Sequence, residues 1–212
     1  MKQPDRSSLF DNWAGSYDAR VASDPDGFPF AGYEQVLERV VGLADVKPEM
    51  RILDLGIGTG NLAARFVHRG CEVWGLDFSA EMLARARAKL PQINLIQADL
   101  LSDWTTELRG SFDRVVSAYV FHEFDLETKV GLLEQIFSHC LLLRGLVVIA
   151  DIAFPDAHSR TAASQHWQFD EDEYYWSADE TIGACEQVAL QVAYEQISSC
   201  AGVFTFTRVA HG

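Results

Sequence analysis

Basic charge is scarce in this 212-residue chain: 17 Lys and Arg stand against 31 Asp and Glu, a formal net charge of −14. Such a surface repels a nucleic-acid backbone unless a local basic stripe intervenes. The densest basic segment, Arg85-Ala86-Arg87-Ala88-Lys89, is too short for that footprint. No apolar run lengthens into a membrane span or a signal sequence, and the start, Met1-Lys2-Gln3-Pro4-Asp5-Arg6, is polar. The four cysteines, at 71, 140, 185 and 200, show neither CxxC nor any other metal spacing. Three of them lie in apolar patterns, which reads as buried reduced thiols. Internal repeats and low-complexity linkers are also missing. These absences predict a single globular domain (1–212), cytoplasmic, with a small-molecule partner, no nucleic acid, no membrane and no metal. Monomer and homodimer both stay open.

What is present alternates. Residues 32–46 place Tyr33, Val36, Leu37, Val40, Val41 and Ala44 on one face at helical spacing, closed by Pro48. Strand 51–55 follows, then helix 60–69 packing Leu62, Phe66 and Val67, then strand 72–77. Ser79 reads as the N-cap of a helix carrying Leu83, Ala86 and Leu90, which Pro91 stops. Residues 93–98 and 112–120 read as the third and fourth strands. Asp125 caps a long helix with Leu126, Val130, Leu133, Phe137 and Cys140 in phase; Arg144-Gly145 ends it before a fifth strand, 146–150. This rhythm means an α/β fold with a parallel sheet covered on both faces. Alternating runs at 188–197 and 203–209, joined by Ser198 to Gly202, predict an antiparallel hairpin. The chain thus divides into a helical cap (1–47), a cofactor-binding core (48–151), a lid or acceptor insertion (152–187) and the terminal hairpin (188–212).

The chemistry concentrates at residues 51–60, R-I-L-D-L-G-I-G-T-G, and at Asp77, which closes the next strand. Glycines at 56, 58 and 60 let the backbone approach a ligand closely, and an acid ending the following strand can accept from ribose hydroxyls. The pattern is shared by nicotinamide and S-adenosylmethionine sites. A dinucleotide fingerprint wants a third glycine at 61, where Asn61 stands. S-adenosylmethionine carries an ammonium and a sulfonium instead of phosphates, so acids near the turn, such as Asp54, are favourable. Asp99, ending the third strand, suits an adenine amine.

These segments resemble the class I S-adenosylmethionine-dependent methyltransferases, and within them the small, uncharacterised bacterial methyltransferases. The resemblance runs through Phe10-Asp11-Asn12-Trp13, Tyr17-Asp18, Asp54 to Gly60, Gly75 to Ser79, Ala98-Asp99, Ala118 to Phe124 and Ala150-Asp151. It implies a doubly wound, Rossmann-like seven-stranded sheet of order 3-2-1-4-5-7-6 with S-adenosylmethionine as cofactor. Gly56 and Gly58 would approach the methionine part, Asp77 the ribose and Asp99 the adenine, with Phe78 and Leu100 flanking it. Tyr17 and Trp13 would fold over the methionine end; a helix face packed on the core is the rival reading of that pair. Asp54, Gly60, Met82 and Ala118 complete the expected cofactor set.

On the acceptor side, His122 follows the fourth strand and is tunable near neutral pH, as a proton acceptor must be; a pocket-shaping hydrogen bond is the alternative. Residues 166–176, H-W-Q-F-D-E-D-E-Y-Y-W, offer aromatics and acids over the mouth of the site. Asp151 ends the fifth strand, where reaching the pocket and capping a loop are equal readings. No Asn/Asp-Pro-Pro-aromatic tetrapeptide follows the fourth strand, where Ser117-Ala118-Tyr119-Val120 stands, and no Pro-Cys nucleophile occurs there. The expected activity is methyl transfer to a small-molecule nucleophile. The alternatives are a non-catalytic S-adenosylmethionine-binding or regulatory protein and a nicotinamide-dependent oxidoreductase.

Overall fold

The architecture is that of a computed structural model, which describes residues 17–24, 26–102, 104–105, 108 and 111–209. Trp13 lies outside the described residues. Short α1 (Tyr17–Ser23) precedes α2 (Tyr33–Ala44), and the face read from its spacing, Tyr33 through Ala44, is the face that is buried. Then β1 (Arg51–Leu55), α3 (Asn61–His68), β2 (Glu72–Asp77), α4 (Ala80–Lys89), β3 (Asn94–Gln97) and β4 (Phe112–Ala118) alternate as expected. Ser79 caps α4, its hydroxyl accepting from the Met82 amide at 3.1 Å.

After β4, a 3-10 turn (Phe121–Glu123) leads to α5 (Leu126–Gln135), whose cap is Asp125. The helix does not run on to Arg144-Gly145. It widens into a π-type turn (Ile136–Cys140), and β5 (Leu141–Phe154) begins at once. Leu141 pairs with Phe112 and Leu146 with Arg114, so the ladder bulges through residues 142–145. Helical spacing cannot register that change, because an unbroken leucine run satisfies either period. The insertion holds α6 (Ala157–Ser164), the two-residue β6 (Trp176–Ser177) and α7 (Ala178–Glu186) before the hairpin β7 (Leu190–Gln196) and β8 (Ala201–Arg208).

The main sheet runs β3-β2-β1-β4-β5-β8-β7, with β6 added beside β5. Leaving the short β6 aside, this is the expected 3-2-1-4-5-7-6 order. β1 to β5 are mutually parallel, and β8 pairs antiparallel with both β5 and β7. Successive strand residues feed opposite faces. Ile52, Val116 and Val148 join α2, α3 and α4 in one core cluster. Leu53, Val115 and Val147 join α5, α7 and Trp176 in the other. All four cysteines are buried and free. Among the described residues no helix is long and apolar enough to cross a membrane.

Candidate active site

The strand ends converge on a cleft of about 1080 Å³, open mouth included, at the carboxyl edge of β1, β2, β3 and β4. Ligands of open α/β sheets sit at this edge, because the loops there leave a crevice between neighbouring crossovers. Tyr17, Asp54, Gly56, Gly58, Asp77, Phe78, Met82, Asp99, Leu100 and Ala118, all singled out in the sequence, line it.

Three glycines of the first turn have positive φ but different duties. At Gly56 (φ +67°) a Cβ would strike the Val120 side chain at 2.3 Å, so the residue lets β4's loop close against the turn. At Gly58 (φ +53°) a Cβ would meet nothing within 4 Å, which marks open ligand space directly above the backbone. Gly60 (φ +86°) is not among the cleft-lining residues; it faces Leu90 and Ala86 and seats α3 against α4.

The Asp77 carboxylate is fixed by two backbone amides: Oδ2 accepts from Gly58 and Oδ1 from Ser79, each at 2.9 Å. Carboxylate oxygens have further lone pairs, so a ligand's hydroxyls can still be accepted. Asp54 is almost fully buried, and its Oδ2 has no hydrogen-bond partner among the described residues. Burial, reinforced by neighbouring Asp77, holds the Asp54 carboxyl well above the usual range. Asp99 accepts from the Leu101 amide at 2.9 Å. Among the described residues, no Lys or Arg lines the cleft. A cationic ligand bearing sugar hydroxyls therefore suits this donor and charge set; a pyrophosphate does not.

Several contributors had no role assigned from the sequence. Asp18 clasps α1 to the glycine turn: its Oδ1 accepts from Thr59 (2.6 Å) and Asn61 (3.0 Å), and its Oδ2 pairs with Lys89 (3.1 Å). Asn61 was legible only as a missing glycine, yet it also donates to the Tyr33 hydroxyl. Tyr33 and Tyr119, both buried, stack in the cleft wall, 5.4 Å between centroids, and Tyr119 has positive φ (59°). Burial pushes the Tyr17 hydroxyl far up and that of Tyr33 to about 12.

His122 does not line the cleft, although its neighbour Glu123 does. Its Nδ1 lies 2.6 Å from Asp151 Oδ1, and its backbone amide donates to Asp151 Oδ2 at 2.8 Å. Asp151 is fully buried inside β5 and also accepts from Trp176 Nε1 and the Ile152 amide. Burial opposes charge on the imidazole, but adjacent Asp151 outweighs it and raises the His122 pKa; the same pairing lowers that of Asp151 against its own burial. The aromatics of 166–176 turn mainly inward. Trp167 and Phe169 stack on Phe28, and Tyr175 packs edge-on against Phe169.

Residues 52–141 match the family model described as a methyltransferase domain. An uncharacterised methyltransferase of Bacillus thuringiensis is 36% identical over 154 residues, covering 71% of this chain and 68% of that protein. One of Alkaliphilus oremlandii is 34% identical over 152 residues, with the same coverage. Among solved structures, the DhpI–SAH complex superposes with a TM-score of 0.73 at 20% identity, covering 95% of this chain and 94% of that one. Magnesium protoporphyrin IX methyltransferase from Synechocystis, with bound SAH, gives 0.71 at 18% identity over 97% and 100%. The sheet order, the cleft at its carboxyl edge and the identity to these bacterial relatives agree: the chain is an enzyme of the methyltransferase family.

Proposed function

We propose that this enzyme binds S-adenosylmethionine and transfers its methyl group to a small-molecule nucleophile, releasing S-adenosylhomocysteine (SAH). The observation that carries the reading is the lining of the cleft: Asp54, Asp77 and Asp99, open space above Gly58, and no Lys or Arg among the described lining residues. When bound, the cofactor supplies a methyl carbon already activated by a positive sulfur. The chain's own task is then to hold donor and acceptor in line. Asp77 takes the ribose hydroxyls, Asp99 the adenine amine, and Asp54 the ammonium end; Phe78, Met82 and Leu100 form the apolar walls. Tyr17 and Tyr33 line the cleft beside them.

His122 belongs to the acceptor half of the reading. The 2.6 Å contact of Nδ1 with Asp151 orients the imidazole, which supports a reading in which Nε2 faces the acceptor. The insertion, which begins after β5 ends at Phe154 and not at 152 as the sequence suggested, is the acceptor wall of this reading, and a net charge of −14 favours a small acceptor over nucleic acid. Incubating the chain with methyl-labelled S-adenosylmethionine and fractionated bacterial metabolites should release SAH with at least one fraction. Cofactor binding with no SAH from any fraction would turn the reading to a non-catalytic binder.

A further inference from the structure

We propose that His122, Glu123 and Glu173 form a binding site for one divalent first-row cation, such as Mn2+ or Zn2+, beside the methyl-transfer cleft. The sequence hides this set, since Glu173 lies on the insertion and only the fold brings it to the turn after β4. There His122 Nε2 stands 3.8 Å from an Oε1 of each glutamate, and the three donor atoms all lie within 4.8 Å of one another. The Tyr174 amide donates to the His122 carbonyl at 2.6 Å, and Lys129 Nζ donates to the Tyr174 carbonyl, so the two segments are tied together.

Two arrangements of charge suit such a cluster, and distance separates them. An imidazolium whose single Nε2–H held one of the glutamates would draw it to about 2.7–2.9 Å. The Nδ1 side does this with Asp151, at 2.6 Å; the Nε2 side leaves both glutamates at 3.8 Å. Ligands lying about 2.0–2.2 Å from a first-row ion are themselves separated by roughly 3–3.5 Å. Side-chain shifts of up to about 1 Å therefore close the triad on an ion. The imidazole is also prepared as a ligand, because a fully buried carboxylate holds its other nitrogen and fixes its orientation. The charges facing it are the carboxylates of Asp151, Glu123 and Glu173 and the ammonium of Lys129, which lies 4.4 Å from the Trp176 ring centroid. Arg160 pairs with Glu180 instead.

Three protein ligands leave coordination positions for water or an acceptor atom. Resting on the methyl-transfer reading, the ion would acidify a bound acceptor hydroxyl or amine, with Nε2 a ligand and not a base. The test is titration of chelator-treated, full-length protein with MnCl2, followed by the spin-resonance signal of free Mn2+, and with ZnCl2 by calorimetry. One saturable site per chain is expected. Glu173→Gln should weaken it at least tenfold, and Asp151→Asn about 10–100-fold, with the Glu173→Gln melting temperature and SAH affinity unchanged. No saturation up to millimolar metal, or equal binding by the Glu173→Gln protein, overturns the site and leaves His122 as the base. An SAH titration of the same sample keeps that failure distinct from failure of the methyltransferase reading.

Discussion

Residues that share a motif divide their labour, and substitution should expose the division. Asp77→Ala removes a carboxylate fixed for ligand hydroxyls, and SAH affinity should fall by about 1–3 kcal/mol; unchanged affinity would take Asp77 out of the site. Gly56→Ala and Gly58→Ala both force alanine to positive φ, at about 1–2 kcal/mol each. Only the first also drives a methyl into Val120, whereas the second puts it into open ligand space. Gly56→Ala should therefore lower the melting temperature more, and Gly58→Ala should lose more SAH affinity relative to its stability; the reverse order would contradict the assignment. The motif's spacing was legible in the sequence, and these separate duties were not, because they depend on Val120 and Leu90 arriving from elsewhere. A pH test belongs to Lys129, whose pKa burial lowers to about 8 despite the upward pull of Asp151. In the unfolded chain a lysine titrates near ~10.4. Below pH 8 both states are charged and the burial cost is felt in full; between 8 and about 10.4 the unfolded state holds more protons, so the folded state gains. The stability difference between wild type and Lys129→Met should shift in favour of wild type across that window. A flat difference would mean that Lys129 is not desolvated.

Elements were legible where their periodicity was unambiguous. α2 buries the six residues its spacing selects, and the Ser79 cap is in place. Ser79→Ala should destabilise the protein by about 1 kcal/mol and, by loosening the turn whose backbone amide holds Asp77, weaken SAH binding as well. A loss of stability with full affinity would show that the α4 cap does not support the ligand carboxylate. The boundary between α5 and β5 was misplaced because the leucines at 141–143 satisfy a helix as well as a strand, and what decides is pairing with β4. Leu142 and Leu143 are exposed despite their hydropathy. The insertion was legible as aromatic and acidic but not as structure: Trp176 is a core residue that donates to Asp151, and Trp167 and Phe169 lock onto Phe28. Such long-range contacts leave no local period in a sequence.

Across the whole molecule, one sheet brings together groups that lie far apart in the chain. The order β3-β2-β1-β4 lines up the ends carrying Asp99, Asp77, Gly58 and Ala118, and α1 closes over them through Asp18. The strand-end part of the site could be read from the sequence; the Asp18 clasp could not. The His122–Asp151 pair and its glutamates could not, since β5, the turn after β4 and the insertion meet only in the folded protein. The central claim is that the acid-lined cleft takes a sulfonium cofactor, and calorimetric titration of the purified chain with S-adenosylmethionine, SAH and NADH in parallel tests it most directly. Saturable one-to-one binding of the two sulfur compounds, with no heat from NADH, is the predicted result. Binding of NADH, or of none of the three, would contradict it.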